Sequence, residues 1–306
     1  MSLTSRGTGL LRNNRFIFAL AMVLGLAAGG GADYLEPTLV PLLGLIMTFS
    51  ILEISAKTFF ELRKIIRPTV LALVLNYIVL SGVIIGMSSL ILDDTDLHTG
   101  YVLIAAVPPA VAVIPFTLQL GGNTRFSLVG DVAAYIAALA ITPAISLLFL
   151  GGSFIETERL LIVLGELIVG PIVLSRIVRR TPLMSSVEKW RGPLVNWSFF
   201  LVFYTIVGLN SEAFLGEPGE LLRIAAVAFV STFVLAWAIE RVSRLAGVDK
   251  ADRISLMLLG TRKTYGVAGA IALIFFDTRA AIPAAVASAM NILHFVWLTW
   301  RVRRMP

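Results

Sequence analysis

Residues Leu256–Leu273 read LMLLGTRKTYGVAGAIAL, and this stretch decides how the rest of the chain is interpreted. It is apolar and rich in small residues except at its centre, where Arg262 and Lys263 stand side by side. Two cations near the middle of a bilayer are costly unless they face a protein interior, an anion or a water-filled cavity. The stretch therefore predicts a functional site inside a membrane.

The composition of the 306-residue chain indicates a helical membrane protein. It is 58% hydrophobic and 14% charged, with a mean hydropathy of +0.90, whereas soluble domains carry about a quarter charged residues. Apolar runs of about 20 residues recur along the chain, as membrane-spanning helices require. The period-two alternation of barrel strands is absent. We therefore predict an all-α polytopic membrane protein.

Ten spans account for the apolar runs and for the distribution of positive charge. We place them at residues 15–32, 37–55, 68–92, 99–121, 126–149, 159–178, 192–211, 220–241, 253–276 and 280–300. Most of the 25 Lys and Arg residues lie in alternate connections and near both ends. Because cytoplasmic loops carry the excess of positive charge, we predict a protein of the cell (inner) membrane with cytoplasmic N- and C-termini.

The two halves of the chain resemble each other. Pro41–Phe59 is similar to Pro193–Phe214, and each is followed by one span and then by an interrupted one. Since five spans make up each half, the second half must be inverted in the membrane. We predict two inverted five-helix repeats, residues 13–150 and 158–302, an arrangement typical of transporters with a site near the bilayer midplane. Chance similarity between apolar segments is the alternative.

Spans 4 and 9 are the predicted broken helices. Within Ala105–Asn123 the proposed helix-breaking residues are Pro108, Pro109 and Pro115. Proline lacks an amide donor and clashes with the preceding turn, so a continuous helix is not expected, although a simple kink is the alternative. No proline lies in Leu258–Gly269, where we infer the interruption from symmetry and from glycines including Gly260.

With these segments, the chain resembles the bile acid:sodium symporter family over nearly its whole length. Asn76-Tyr77 stands where that family often has Gln-Phe, and Pro108-Pro109-Ala110 stands for its Pro-Gly-Gly. Gly260-Thr261-Arg262-Lys263 is similar to its Gly-x-Gln-Asn stretch. Thr117, Asn123 and Ser127 keep its spacing. The resemblance implies a panel of spans 1, 2, 6 and 7 and a core of spans 3–5 and 8–10, with spans 4 and 9 crossing.

The residues that the resemblance implies for sodium binding are largely replaced. Val113-Ile114 stand where the family has Ser-Asn, its glutamate falls on Leu258 or its apolar neighbour, and Arg262-Lys263 replace its Gln-Asn. Ser127 remains, and Asp131 replaces a threonine ligand. Because sodium needs hard oxygen ligands and is repelled by cations, we expect no sodium at the usual sites, and no other metal or organic cofactor. If transport is coupled to an ion, a proton is the alternative to sodium.

Asp131 is the acidic residue that helical spacing can bring near the two cations. We predict an Asp131–Lys263 ion pair, or an Asp131–Arg262 pair, at the former sodium position. A buried lysine changes its protonation readily whereas arginine stays charged, so Lys263 is a candidate proton carrier and Arg262 a candidate anion clamp. A static salt bridge that replaces sodium as a structural element is an equally weighted alternative.

The remaining candidates for substrate or ion binding are polar residues within the predicted spans. Glu166, on the sixth span, either faces the substrate crevice from the panel or is a hydrogen-bonded packing carboxylate. The others are Asn76, Thr117, Asn123, Ser127 and Thr264. Each alone is more often an interhelical hydrogen bond than a ligand.

These observations predict a secondary active transporter of a small organic anion that works by alternating access and is proton-coupled or facilitative. A cation/proton antiporter with an Asp/Lys centre is the nearest alternative. An intramembrane enzyme is disfavoured because the chain has no cysteine and few histidines, and a sensor that binds without transport is a third alternative. The expected partners are the substrate and the lipid bilayer, with no nucleic acid. Substrate identity, transport direction and oligomeric state are left open.

Overall fold

A computed structural model of the chain describes residues 14–52, 65–110, 112–151, 158, 162, 165–182 and 184–305. These residues form helices and no strand, which confirms the all-α prediction for the described part of the chain. Five helices within it are long and apolar enough to cross a membrane, namely Ile66–Ile91, Thr124–Leu150, Trp190–Leu209, Pro218–Leu245 and Thr278–Arg303. The chain is therefore a membrane protein with several apolar helices. The ten-span inverted repeat remains a prediction.

The longer helices are numbered in chain order. They are α1 (Asn14–Ala27), α2 (Leu39–Ile51), α3 (Ile66–Ile91), α4 (Thr95–Ala106), α5 (Val113–Leu120), α6 (Thr124–Leu150), α7 (Gly170–Arg179), α8 (Met184–Leu209), α9 (Ser211–Gly216), α10 (Pro218–Leu245), α11 (Lys250–Leu259), α12 (Tyr265–Phe275) and α13 (Ile282–Arg303). One-turn helical segments lie at Gly29–Gly31, Ala32–Leu35, Glu36–Thr38 and Thr278–Ala281. The predicted broken spans 4 and 9 correspond to α4–α5 and α11–α12.

The helices pack in two sets. In the first set, α1 and α2 pack against α8, and α2 also packs against α7. Gly29 and Gly208 allow α1 and α8 to approach closely, because a Cβ on Gly29 would lie 2.9 Å from the Gly208 Cα. In the second set, α3 and α4 pack against α6, α11 against α6 and α10, and α12 against α4 and α13.

Three π-helical segments interrupt the regular α-helical hydrogen bonding in the described part of the chain. Val74–Leu80 lies within α3, Val230–Val234 lies within α10, and Gly165–Val169 precedes α7. Such segments widen a helix by one residue per turn and are often found at functional sites. The segment in α3 contains Asn76 and Tyr77, both of which are buried.

Arg279, in the connection before α13, joins three loops at one end of the molecule. Its Nε donates to Asp94 Oδ2 at 2.6 Å, and Nη1 and Nη2 donate to the two carboxylate oxygens of Glu217 at 3.0 and 2.6 Å. Burial raises the pKa of Asp94, but hydrogen bonds from the Leu97 amide and from Arg279 hold that pKa below its usual value. The hydrogen bond from Arg279 likewise lowers the pKa of Glu217. The arginine therefore favours the charged form of both carboxyl groups.

Candidate functional site

The first helix interruption separates α4 from α5. Val107 takes an extended conformation, and the chain becomes helical again at Val113. Pro108 and Pro109 lie in this gap and have no amide with which to continue the helix. Pro115, which we predicted to belong to the break, lies in the first turn of α5 instead. Amides in a first turn have no intrahelical acceptor, so proline removes no hydrogen bond there.

The second interruption separates α11 from α12 and contacts the first. Gly260 follows the last residue of α11, and a Cβ on it would lie 2.5 Å from Ile239 Cδ1, so the Ile239 side chain on α10 would have to move to admit a larger residue. The Thr264 amide donates to the Pro108 carbonyl at 3.0 Å, and Thr264 Oγ1 donates to the Pro109 carbonyl at 2.8 Å. The two gaps therefore form one continuous region of non-helical backbone.

Lys263 lies in this region and is fully buried. Its Nζ donates to the carbonyl oxygens of Ala105 at 2.7 Å and Val107 at 2.9 Å, and to Ser81 Oγ at 3.1 Å. The ring of Tyr77 lies 4.5 Å from the same nitrogen. Both carbonyls are at the C-terminal end of α4, where the helix dipole favours a positive charge. All three N–H groups of the ammonium thus have acceptors, and none of these acceptors is a carboxylate.

The predicted ion pair of Asp131 with Lys263 or Arg262 is absent. Asp131 is 1% exposed on α6, and neither carboxylate oxygen has a hydrogen-bond partner among the described residues. The hydroxyl of Tyr77 donates to the Ala134 carbonyl at 2.9 Å and not to Asp131. The pairing prediction was wrong because backbone carbonyls at the end of α4 satisfy the ammonium, and residue types alone do not reveal such acceptors.

Arg262 is directed towards α13 rather than towards Asp131. Its Nη1 donates to the backbone carbonyl of Asn291 at 3.3 Å and to the side-chain oxygen of the same residue. The rings of Phe116 and Phe295 lie 5.2 and 5.7 Å from the guanidinium carbon. Arg262 is 1% exposed, and its Nε and Nη2 atoms have no acceptor within the described part of the chain. Arg262 is therefore a buried cation with unused donors.

Asn76 and Thr264 connect the interruptions to neighbouring helices. Asn76 Nδ2 donates to the carbonyls of Leu259 at 2.8 Å and Arg262 at 3.0 Å, so it caps the end of α11 from α3. The Oδ1 atom of Asn76 is buried without a partner among the described residues. Thr264 Oγ1 lies 3.1 Å from the hydroxyl of Tyr135, on α6. Both predicted residues therefore lie where the interruptions meet.

The other predicted polar residues lie in separate contacts. Thr117 Oγ1 donates to Ser127 Oγ at 2.8 Å, which joins α5 to α6. Asn123 caps the N-terminus of α6, and its Nδ2 donates to Asp252 Oδ1 at 2.8 Å. Asp252 lies in the first turn of α11, about 13 Å from the interruption at 1.5 Å per residue. Asn123 is therefore not brought to the helix interruptions.

Glu166 lies away from the interruptions. It is exposed in the π-helical segment before α7 and lines a cleft of about 530 Å³. The other lining residues belong to α2, α7 and α8, and they are Pro41, Gly44, Leu45, Thr48, Phe49, Gly170, Pro171, Leu174, Val178 and Val187. The cleft is mostly apolar, and none of the residues that contact Lys263 or Arg262 lines it.

Ser81 and Asn291 are contact residues that the sequence analysis did not select. Ser81 follows Asn76 by five residues, and the π-helical segment between them places both beside Lys263 and Arg262. The residue types in Val74–Leu80 do not predict a π-helical segment. Asn291 is an isolated amide within the last predicted span, and a polar residue at that depth is the signal that would have identified it.

Buried cations at the junction of two interrupted helices, in a membrane protein whose described residues form helices, are typical of membrane transport proteins. The chain belongs to the SBF-like CPA transporter family, which it matches over residues 14–300. It is also 28% identical over 206 residues to an uncharacterized protein of Pseudomonas aeruginosa. That match covers 61% of this chain and 59% of the other protein. Family membership supports the resemblance to the bile acid:sodium symporters.

Proposed function

We propose that the protein is a secondary transporter of a small organic anion that works by alternating access. The observation that carries this proposal is the pair of buried cations, Arg262 and Lys263, at the junction of the two helix interruptions. Their hydrogen-bond partners are carbonyl, hydroxyl and amide groups. Positive charge without a bonded carboxylate attracts an anion in a low-dielectric interior.

Two features support the inverted repeat of residues 13–150 and 158–302. Spans 4 and 9 are interrupted, and spans 3 and 8 both contain π-helical segments, Val74–Leu80 and Val230–Val234. The main packing partners of α1 and α2 are α7 and α8, and this set meets the other through smaller contacts of α8 and α2 with α12 and of α8 with α13. This arrangement supports movement of a panel against a core. Both termini would then be cytoplasmic in the inner membrane, with the cationic connections on the same side.

The position of Lys263 supports transport without sodium at the helix interruption. Its ammonium already takes two carbonyls and a hydroxyl, which are the oxygen ligands that a bound monovalent metal ion would use. Asp131 is the buried carboxyl group that remains available for proton coupling. In this proposal Lys263 is a fixed structural cation and Asp131, rather than Lys263, carries the proton.

The same unpaired Asp131 favours one second candidate, a cation/proton antiporter. A carboxylate freed of its proton in such a site would bind the exchanged cation. Purified protein in proteoliposomes with an internal pH indicator separates the two proposals. A gradient of pyruvate or gluconate moves protons if the first proposal is correct, and a sodium gradient moves protons if the second is correct. Anion-driven signals that equal those of protein-free liposomes would contradict the first proposal.

A further inference from the structure

The unused donors of Arg262 lie on one edge of its guanidinium group. The terminal nitrogen Nη1 donates hydrogen bonds to Asn291, whereas Nε and Nη2 have no acceptor among the described residues. In any guanidinium, the Nε hydrogen and one Nη2 hydrogen point in the same direction and match the two oxygens of a carboxylate. A buried charged donor without an acceptor is costly. This edge is therefore open to an acceptor other than the described residues of the chain.

His294 is a second buried group without a hydrogen bond among the described residues, and it directly precedes Phe295, whose ring lies beside the guanidinium. It is fully buried, and both of its ring nitrogens lack a partner within the described part of the chain. It follows Asn291, the hydrogen-bond partner of Arg262, by three residues on α13, so the two side chains lie on the same helix face. One ring nitrogen of a neutral histidine carries a hydrogen and can donate to an anion.

Aromatic rings surround both groups. Phe116 stacks on Phe295 with ring centroids 4.0 Å apart, beside the guanidinium. Phe233 lies 4.9 Å from the His294 ring and 5.5 Å from Trp297. No Asp or Glu forms an ion pair with Arg262 in the described part of the chain. Flat apolar walls and a bidentate cationic edge are complementary to a flat, apolar molecule that ends in a carboxylate.

We propose that the Nε–Nη2 edge of Arg262, with His294 beside it, binds the carboxylate of a small monocarboxylate whose body packs against Phe116, Phe295 and Phe233. This inference rests on the proposed function, because it identifies the class of anion that would be transported. Binding of the carboxylate at this edge requires the bidentate geometry of arginine, and positive charge alone is not sufficient.

The test is binding to the purified full-length protein in detergent, with benzoate as the probe. Thermal unfolding is measured against benzoate and against benzamide, which has the same shape without the charge, at constant ionic strength maintained with chloride. The central variant is Arg262→Lys, which keeps the charge and removes the fork. Arg304→Lys is the matched control, because Arg304 stacks on Trp300 at the end of the same helix, outside the site.

We expect benzoate, and not benzamide, to raise the unfolding temperature of the natural protein and of Arg304→Lys. Arg262→Lys should weaken the apparent affinity for benzoate at least tenfold, and His294→Phe should weaken it less. Equal shifts with benzoate and benzamide, or no shift up to the solubility of benzoate, would overturn the inference. That comparison uses the natural protein, so it stands even if Arg262→Lys does not fold.

Transport data separate this inference from the proposed function. Pyruvate or gluconate flux without benzoate binding would refute the Arg262 edge as a site for flat, apolar monocarboxylates and leave the transporter proposal intact. Benzoate binding that depends on Arg262, in a protein that moves no anion in proteoliposomes, would refute the transporter proposal and leave the binding site.

Discussion

Replacing Lys263 by methionine tests how the two helix interruptions are held together. Methionine has a similar length and no charge, so the change removes the ammonium without opening a large cavity. Three hydrogen bonds disappear, those from Nζ to the Ala105 and Val107 carbonyls and to Ser81 Oγ. Ser81 still donates to the Ala105 carbonyl at 2.6 Å, so the Val107 carbonyl is the group most affected.

The expected loss follows from opposing contributions. Each hydrogen bond to a charged group contributes about 1.5–3 kcal/mol, and a buried acceptor without a donor costs about 1–3 kcal/mol. Against this, the variant no longer buries an ammonium, which costs several kcal/mol. We expect a net loss of about 2 kcal/mol in the free energy of unfolding. At about 2–4 °C per kcal/mol, the unfolding temperature should fall by about 4–8 °C.

Thermal unfolding in detergent measures this loss, with Lys250→Met as the matched control. Lys250 is exposed, and its Nζ also donates to a backbone carbonyl, that of Met305 at 2.6 Å. An exposed contact of this kind contributes at most about 1 kcal/mol. Lys263→Met should therefore be clearly less stable than Lys250→Met. Equal stability of the two variants would refute the structural role of the buried ammonium.

A double-mutant cycle with Asp131→Asn extends the same experiment. Because Asp131 and Lys263 are not paired, their effects should add to within about 0.5 kcal/mol. A coupling of about 3 kcal/mol or more is expected instead if the two form a buried ion pair. Such a coupling would show that the arrangement of carbonyl acceptors around Lys263 is wrong.

Three further predictions concern other regions of the structure. Asp131→Asn should retain anion flux in proteoliposomes and lose the accompanying proton movement; proton movement that persists would exclude Asp131 as the proton site. Arg279→Gln should lower the unfolding temperature at neutral pH. Because Arg279 lowers the pKa of Asp94, the difference in unfolding temperature from the natural protein should shrink as the pH falls below about 4. A difference that stays constant at lower pH would contradict the ion pairing of Arg279 with Asp94. Gly100→Ala should destabilise by about 1–3 kcal/mol, since its Cβ would overlap the Ala280 carbonyl, whereas Gly82→Ala, with open space around it, should not; equal effects would contradict this packing.

Much of the helical organisation follows from the sequence because it depends on local composition. Apolar runs with few charges predict spanning helices, and Pro108-Pro109 predicts the interruption after α4. Pro115 was assigned wrongly, because the same residue that breaks a helix interior is tolerated in a first turn, and the sequence does not reveal where the new helix begins.

The candidate site was less predictable because its acceptors are largely backbone atoms. Arg262 and Lys263 stand out by charge, but the partners of Lys263 are carbonyls released by the end of α4. Such groups occur in every residue and become ligands only when tertiary structure exposes them. The π-helical segment that brings Asn76 and Ser81 to the site likewise depends on packing rather than on residue type.

We propose that the buried ammonium of Lys263 removes the need for sodium in the transport of an organic anion. Uptake of pyruvate or gluconate into proteoliposomes, with sodium replaced by choline on both sides, tests it most directly. If the Lys263 ammonium removes the need for sodium, uptake driven by an inward proton gradient should be the same with and without sodium. Uptake that occurs only when sodium is present would contradict it.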